Sequence, residues 1–360
     1  MYAIEMRSRP LMVLLMAVAL AGCQSIGPDS VQRDRIDYAG ALGNSWKEQT
    51  LLNIVKLRYL DTPVYLDVTS VVSMYEMAGQ ASLSSTIFPR SSLDTNYGVG
   101  VTGRYTEWPT ISYAPLAGER YINALLRPIP PKTVLAMIEA GHPADFIFQA
   151  TVRAINGVYN HSIRTRLFRR EDPTFAAVVA AIRRLQLAGA LSAHIEKRGD
   201  EETTKIFFRR DVSEDAESDI RWLKNTLKIN PATDEFPVTA GSLRRGGEEI
   251  ELLTRSMQEI LRILAAGVQV PEEDLSAGRA TPLRGLTPGE GEPVYPAVQI
   301  RSSVEQPGDA YTAARYRNRW FWIDDKDLES KRVFMFLMIF SSLAETGAAV
   351  QTPLIVRSPR

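Results

Sequence analysis

The chain reads as an α+β protein in which antiparallel strands and several packed helices occupy separate runs. Three patterns predict it. Apolar residues recur at helical intervals through the middle of the sequence. A long early stretch is rich in valine, tyrosine, serine and threonine, and the C-terminal region orders strand, strand, helix, strand. At 360 residues and 45% hydrophobic composition the chain can bury a proper core without disulfides, as one large or two ordinary domains.

Residues 23–43 are polar, with Gly27, Pro28 and Gly43, and suit a tether. Ser45-x-x-Glu48 has capping-box spacing ahead of Leu51, Leu52, Val55 and Tyr59, which predicts a helix over 46–60. Asp61-Thr62-Pro63 stops it, and 64–75 suits a strand. Residues 81–115, broken near 89–96, predict two or three antiparallel strands. Helices are expected over 118–126, 132–140, 144–156 and from Asp172-Pro173 onward, the last with a broad apolar face through Phe175, Val178, Val179, Ile182 and Leu185.

A hairpin is predicted from 192–197 and 204–209, helices over 213–229 and 256–265, and a strand at 250–253. Residues 44–267 thus form an α+β domain. Residues 268–297, with Pro271, Pro282, Pro288 and Pro293 among glycines and acids, read as a loop or linker. Residues 298–360 supply strands at 298–304 and 314–323, a helix at 328–345 and a strand at 354–356, either apart from or within the main domain. The helix core at 333–340 is apolar all round, too short to cross a bilayer, and is expected to be buried.

The one cysteine, Cys23, closes Leu20-Ala21-Gly22-Cys23 after a short apolar run preceded by Arg7 and Arg9. Charged n-region, short apolar h-region and small residues make residues 1–22 a secretory signal. The tetrapeptide resembles the lipobox of bacterial lipoproteins. That resemblance implies acylation of Cys23 with palmitate or a similar chain, anchoring of the mature protein to the bilayer, and, because Gln24 and Ser25 replace an inner-membrane retention aspartate, residence at the periplasmic face of the outer membrane. Several acyl chains together would make the anchor effectively permanent.

The 42 basic and 42 acidic residues balance, so no global field recruits nucleic acid. Candidate chemistry fails on context. Gly98-Val99-Gly100-Val101-Thr102-Gly103 has dinucleotide-loop spacing, but strand-like, proline-ended sequence follows it in place of a helix. The helix near 175–190 with the hairpin at 192–209, basic at Arg183, Arg184 and Arg209, resembles a winged helix, yet an exported chain meets no DNA. Arg164, Arg166, Arg169 and Arg170 read as a solvated cluster, with anionic headgroups or a partner's acidic patch as the alternative.

His142, His161 and His194 lack metal-ligand spacing, so no metal or cofactor is expected. No G-x-S-x-G occurs, and Asp324-Asp325 and Glu272-Glu273, being sequence neighbours, do not face one another. Asp325 or Asp327 is expected to cap the terminal helix. Trp320 and Trp322, and Tyr105 with Trp108, are the candidate partner contacts, since such rings favour interfaces.

Taken together these readings point to a non-catalytic assembly, tethering or accessory subunit of an envelope complex, bound to an envelope protein or to copies of itself. Two alternatives stand beside it: an oligomeric export channel that uses the 81–115 hairpin, and an envelope glycan or peptide hydrolase.

Overall fold

The computed structural model describes residues 28–87, 95–164, 167–169, 172–198, 201–241, 247–280 and 298–344. It is α+β, and it divides into two compact units: one formed by the chain up to Pro63 together with Leu125–Ala344, the other by Val64–Ala124. Cys23, the 281–297 stretch and the 354–356 strand expectation lie outside the described residues.

In the larger unit, helix α1 (Pro28–Arg58) opens the fold. It starts well before residue 46, so Ser45 sits within a helix and not at its cap; helical geometry runs through the polar 28–44 stretch, where no apolar periodicity marks it. Leu51, Ile54 and Val55 are fully buried. Helices α2 (Pro131–Glu139) and α3 (Ala144–Thr151) follow. The helix expected to reach residue 156 ends at Thr151, where the chain enters strands β3 (Val152–Ile155) and β4 (Val158–Tyr159). The cause is the Asn156-Gly157 turn, with φ of 45° and 79°, a pair of left-handed residues that reverses an antiparallel ribbon.

Helix α4 (Pro173–Leu187) begins where Asp172 accepts a hydrogen bond from the Thr174 N–H at 2.8 Å, with proline at the first helical position. Strands β5 (Leu191–Arg198) and β6 (Glu201–Phe208) make the expected hairpin. Helix α5 (Glu214–Leu227) has three acids in its first turn, favourable beside the positive end of the helix dipole. Strands β7 (Glu235–Thr239) and β8 (Ile250–Thr254), then helices α6 (Met257–Leu264) and α7 (Glu272–Ser276), continue the unit.

The main sheet runs β4-β3-β8-β7-β6-β5, antiparallel except for β7 beside β8. Its core joins Phe236 and Leu252 in the sheet with Phe175, Val178 and Leu185 on α4 and Leu223 on α5, all buried. Burial of such side chains contributes roughly 1.5–3 kcal/mol each.

The C-terminal part holds β9 (Arg301–Ser303), β10 (Ala310–Tyr316), β11 (Arg319–Asp324) and α8 (Leu328–Ala344), the strands in the order β9-β11-β10. The single strand expected over 314–323 is two, turned at Arg317-Asn318, both left-handed at φ 48° and 63°. Phe321 and Ile323 are buried on one face. Helix α8 is capped by Asp327, whose carboxylate accepts from the Ser330 N–H at 3.1 Å and from its hydroxyl at 2.6 Å. Its core is one-sided: Phe334, Phe336, Leu337 and Phe340 are buried while Met335 is 51% exposed, so the expectation of burial all round is corrected. Among the described residues no helix is long and apolar enough to cross a membrane.

The smaller unit is dominated by one feature, the antiparallel pair β1 (Leu66–Ile87) and β2 (Thr95–Pro115), joined to a helical turn at Gly118–Tyr121. Its foot is fastened by the Arg120–Asp67 ion pair at 2.5 Å and an edge-on Tyr65–Tyr121 contact.

Candidate functional site

The β1–β2 ribbon is the dominant feature of the smaller unit, and among the described residues its strands pair with no other strand. Its register runs from Leu66 opposite Pro115 to Ile87 opposite Thr95, with one irregularity between Val68 and Ser70. At about 3.3 Å per residue a strand of this length spans about 70 Å, against about 20 Å for an ordinary strand. The sheet has two strands and no third among the described residues, so each strand keeps one edge that no other described strand covers. An isolated two-stranded ribbon is marginal in water, and long open edges are ordinarily blunted.

Because cross-strand partners share a face and successive residues alternate, the register sorts the outer half, 77–87 with 95–105, into two faces. Odd positions bring together Met77 with Tyr105, Ala81 with Val101, and Leu83 with Val99. Even positions bring together Gln80 with Thr102, Ser82 with Gly100, and Thr86 with Asn96. The only charge in these two segments is Arg104, on the even face. Towards the foot the sorting fails: Glu107 is on the odd face opposite Tyr75, and Trp108 and Met74 pair on the even one. Pro109 and Pro115, the prolines of the ribbon, both lie in that foot half.

The Gly98–Gly103 motif therefore lies within a strand and offers no helix N-terminus to a phosphate. Tyr105 and Trp108, read together from sequence, fall on opposite faces and form no single patch. Trp108 is 49% exposed. The alternation of apolar and polar residues over 77–87 and 95–105 was available in the sequence; the cross-strand register that pairs like positions, and the irregularity between Val68 and Ser70 that shifts it at the foot, were not.

Trp320 and Trp322 share the outer face of β11 and are half-buried. The Arg301 guanidinium lies 5.3 Å from the Trp322 ring centre and pairs with Asp324 at 3.0 Å. Trp320 sits opposite Ser303 on one side and Arg315 on the other. On the opposite face Phe321 meets Tyr59 and Tyr316. Tyr59 donates to Asp274 at 2.5 Å, Arg279 reaches the same carboxylate at 2.6 Å, and Arg319 holds Glu273 at 2.6 Å. Burial and then the Asp274 bond push the Tyr59 phenol well above its ordinary range. Burial alone would raise Asp274; its bonds from Tyr59 and Arg279 outweigh this and leave it below the usual carboxylate value. Asp325 pairs with Lys331 at 2.6 Å. Asp324, Asp325 and Glu273 are thus held by Arg301, Lys331 and Arg319, and the Tyr59–Asp274 bond ties the residue after α1 to α7.

A cleft of about 750 Å³ along α5 is lined by Arg209, Arg210, Arg221, Lys224, Lys228 and Asp234 among others. Lys224, nearly buried, holds Asp234 at 2.8 Å, and Arg210 reaches the same carboxylate at 2.5 Å. Sequence reading did not find this cleft, since its walls come from α5, the end of β6 and the turn before β7.

The histidines are scattered. His161 is largely buried beside Arg255, and that burial, then the neighbouring charge, lowers it to about 3. Arg164 and Arg169 lie on the two strands of a short hairpin, opposite Leu167 and Ser162, while Arg166 and Arg170 lie outside the described residues. Among the described residues no three metal-ligating side chains cluster. No protein-family model, curated protein or solved structure matches the chain.

Proposed function

We propose that the chain is a lipid-anchored, non-catalytic subunit of an outer-membrane assembly, acylated at Cys23 and held at the periplasmic face, and that copies of it associate through the β1–β2 ribbon. The observation that carries the reading is the ribbon: 22 and 21 residues per strand, paired to one another and to no third strand among the described residues. Open ladders of that length are satisfied by further strands, and a second copy brings a matching pair of edges. The lipobox resemblance supports the address.

The test is purification of the acylated protein from its native envelope in mild detergent, with light scattering and mass spectrometry of co-purifying chains. A homo-oligomer whose size depends on residues 66–115, alone or with a stoichiometric partner, is expected. A monodisperse monomer without partners would overturn self-association. Metabolic labelling with an alkyne palmitate, expected in the native chain and absent in Cys23→Ser, tests the anchor separately.

A further inference from the structure

We propose that the outer half of the ribbon, residues 77–87 and 95–105, is a membrane-spanning hairpin that each copy contributes to a closed multi-chain barrel, odd positions toward lipid acyl chains and even positions toward an aqueous lumen. The inference rests on the self-association proposed above and adds the bilayer as occupant of the odd face.

Length comes first. The eleven register pairs from Met77–Tyr105 to Ile87–Thr95, at about 3.3 Å per residue and a tilt of about 40°, rise about 28 Å, close to the apolar band of about 25 Å on an outer-membrane barrel. The second argument is the sorting of the two faces. Lipid-facing and lumen-facing residues must alternate in such a wall, and here Met77, Ala81, Leu83, Ile87, Val99 and Val101 all fall on the odd face. The even positions carry Gln80, Ser82, Ser84, Thr86, Asn96 and Thr102, with Gly98, Gly100 and Ala78 between them and Arg104 at the foot end, while the odd positions add only Ser85 and Thr95 as polar residues beside Gly79, Gly103 and two tyrosines.

The foot half lacks these properties where a membrane should end. Just past the odd position of Tyr105, a residue type enriched at the headgroup level, the next odd position is Glu107, a residue type that ends an apolar band. Pro109 removes a backbone donor one turn of the pleat further on, whereas the outer half is free of proline. Edges supply the last argument. Hydrocarbon has nothing to satisfy an open ladder, so a lone hairpin is excluded there and only closure by several copies works. Each copy adds two antiparallel strands, so any ring has an even number, and about four copies reach the smallest such barrels.

The experiment uses the full acylated chain in vesicles of phosphatidylethanolamine and phosphatidylglycerol. Cysteine is placed singly at Ser82, Leu83, Val101 or Thr102 and labelled with an environment-sensitive fluorophore, the native Cys23 being blocked by its acyl chain. Labels at 83 and 101 are expected to shift to the blue and be quenched by lipids carrying a mid-bilayer nitroxide. Those at 82 and 102 should be quenched by aqueous iodide instead.

Oligomers on the vesicle whose four labels behave alike would overturn insertion while leaving self-association intact. Odd labels that are dry but insensitive to the nitroxide would mean that two ribbons cover one another, which also overturns it. A monomer sinks both proposals. As a second readout, Val101→Arg should reduce dye release at least tenfold, whereas Thr102→Arg should still insert and shift ion selectivity toward anions; equal effects from the two would refute the face assignment.

Discussion

Arg255 is 1% exposed, and its guanidinium closes the C-terminal end of α3. It donates to the carbonyls of Gln149 at 2.6 Å, Ala150 at 3.0 Å and His161 at 2.5 Å. Asn160 supports the same end, reaching Gln149 O at 3.0 Å and Val152 O at 2.7 Å. Removing the guanidinium therefore costs the Ala150 and His161 carbonyls this donor, while Gln149 keeps Asn160. Two hydrogen bonds from a charged donor are worth roughly 1.5–3 kcal/mol each, and loss of a cation at a helix C-terminus adds up to about 1 kcal/mol, offset by relief of guanidinium desolvation. Arg255→Ala should cost about 3–5 kcal/mol, in line with breaking other buried charged contacts.

Arg255→Met separates the causes. A buried ion pair can often be exchanged for apolar residues at little cost because both partners go; here the acceptors are backbone carbonyls, which no substitution removes. The thioether side chain of that variant restores volume but no donors, so about 3 kcal/mol should still be lost, with Arg255→Lys intermediate at about 1–2 kcal/mol. Urea unfolding followed by tryptophan fluorescence and far-ultraviolet dichroism reads this as a fall in midpoint at constant slope. A methionine variant within about 1 kcal/mol of the parent would refute the argument that the carbonyls carry the cost.

His161 is held neutral down to about pH 3 in the fold, whereas an unfolded histidine titrates near 6.5. Below that point the unfolded chain binds a proton that the folded chain refuses, so stability should fall as pH drops from 6.5 toward 3, by at most about 1.4 kcal/mol per pH unit from this group. His161→Gln should flatten that part of the urea midpoint against pH; an unchanged slope would count against it. Lys224→Met strips Asp234 of its buried partner and should cost about 2–4 kcal/mol at pH 7. Lys224, then Arg210, lowers the Asp234 carboxyl, so its contribution is present above the ordinary aspartate range and is lost as pH falls through the lowered value. The penalty measured at pH 3 should accordingly be smaller than at pH 7, and a pH-independent penalty would contradict the pairing.

Much of the fold was legible where local chemistry decides it. Asp172-Pro173 announces α4, the apolar stripe of 175–185 announces its buried face, and Arg198 to Glu201 closes the expected hairpin. Asn156-Gly157 carried a turn signal as strong as any, yet the helix was expected to run from 144 through 156, past the point where the chain turns into β3. Arg317-Asn318 gave less warning, since arginine seldom adopts a left-handed conformation and two strands with similar composition flank it. Nothing local foretold that β7 would lie parallel to β8, because that pairing depends on the remaining sheet.

Of the candidate residues, Trp320 and Trp322 share one face of β11 as strand alternation requires, whereas Tyr105 and Trp108, joined by proximity in sequence, are divided by the same alternation. The cleft along α5 is lined by residues from Arg209 to Asp234, but it takes shape only when the helix and the turns on either side of it fold against one another, so no local motif announced it.

The order of pairing in the main sheet has a consequence for biogenesis. Strand β3 finds its neighbour in β8, with Ile155 opposite Leu252, so roughly a hundred residues must be threaded out before that contact can form. The β1–β2 ribbon needs only its own turn. A chain made or exported N-terminus first thus presents both strands of the hairpin before the body behind it can close, and if copies associate through the ribbon as proposed, neighbouring ribbons can meet at that stage. Under that proposal, timing of emergence becomes a determinant of yield separate from the stability of the finished fold.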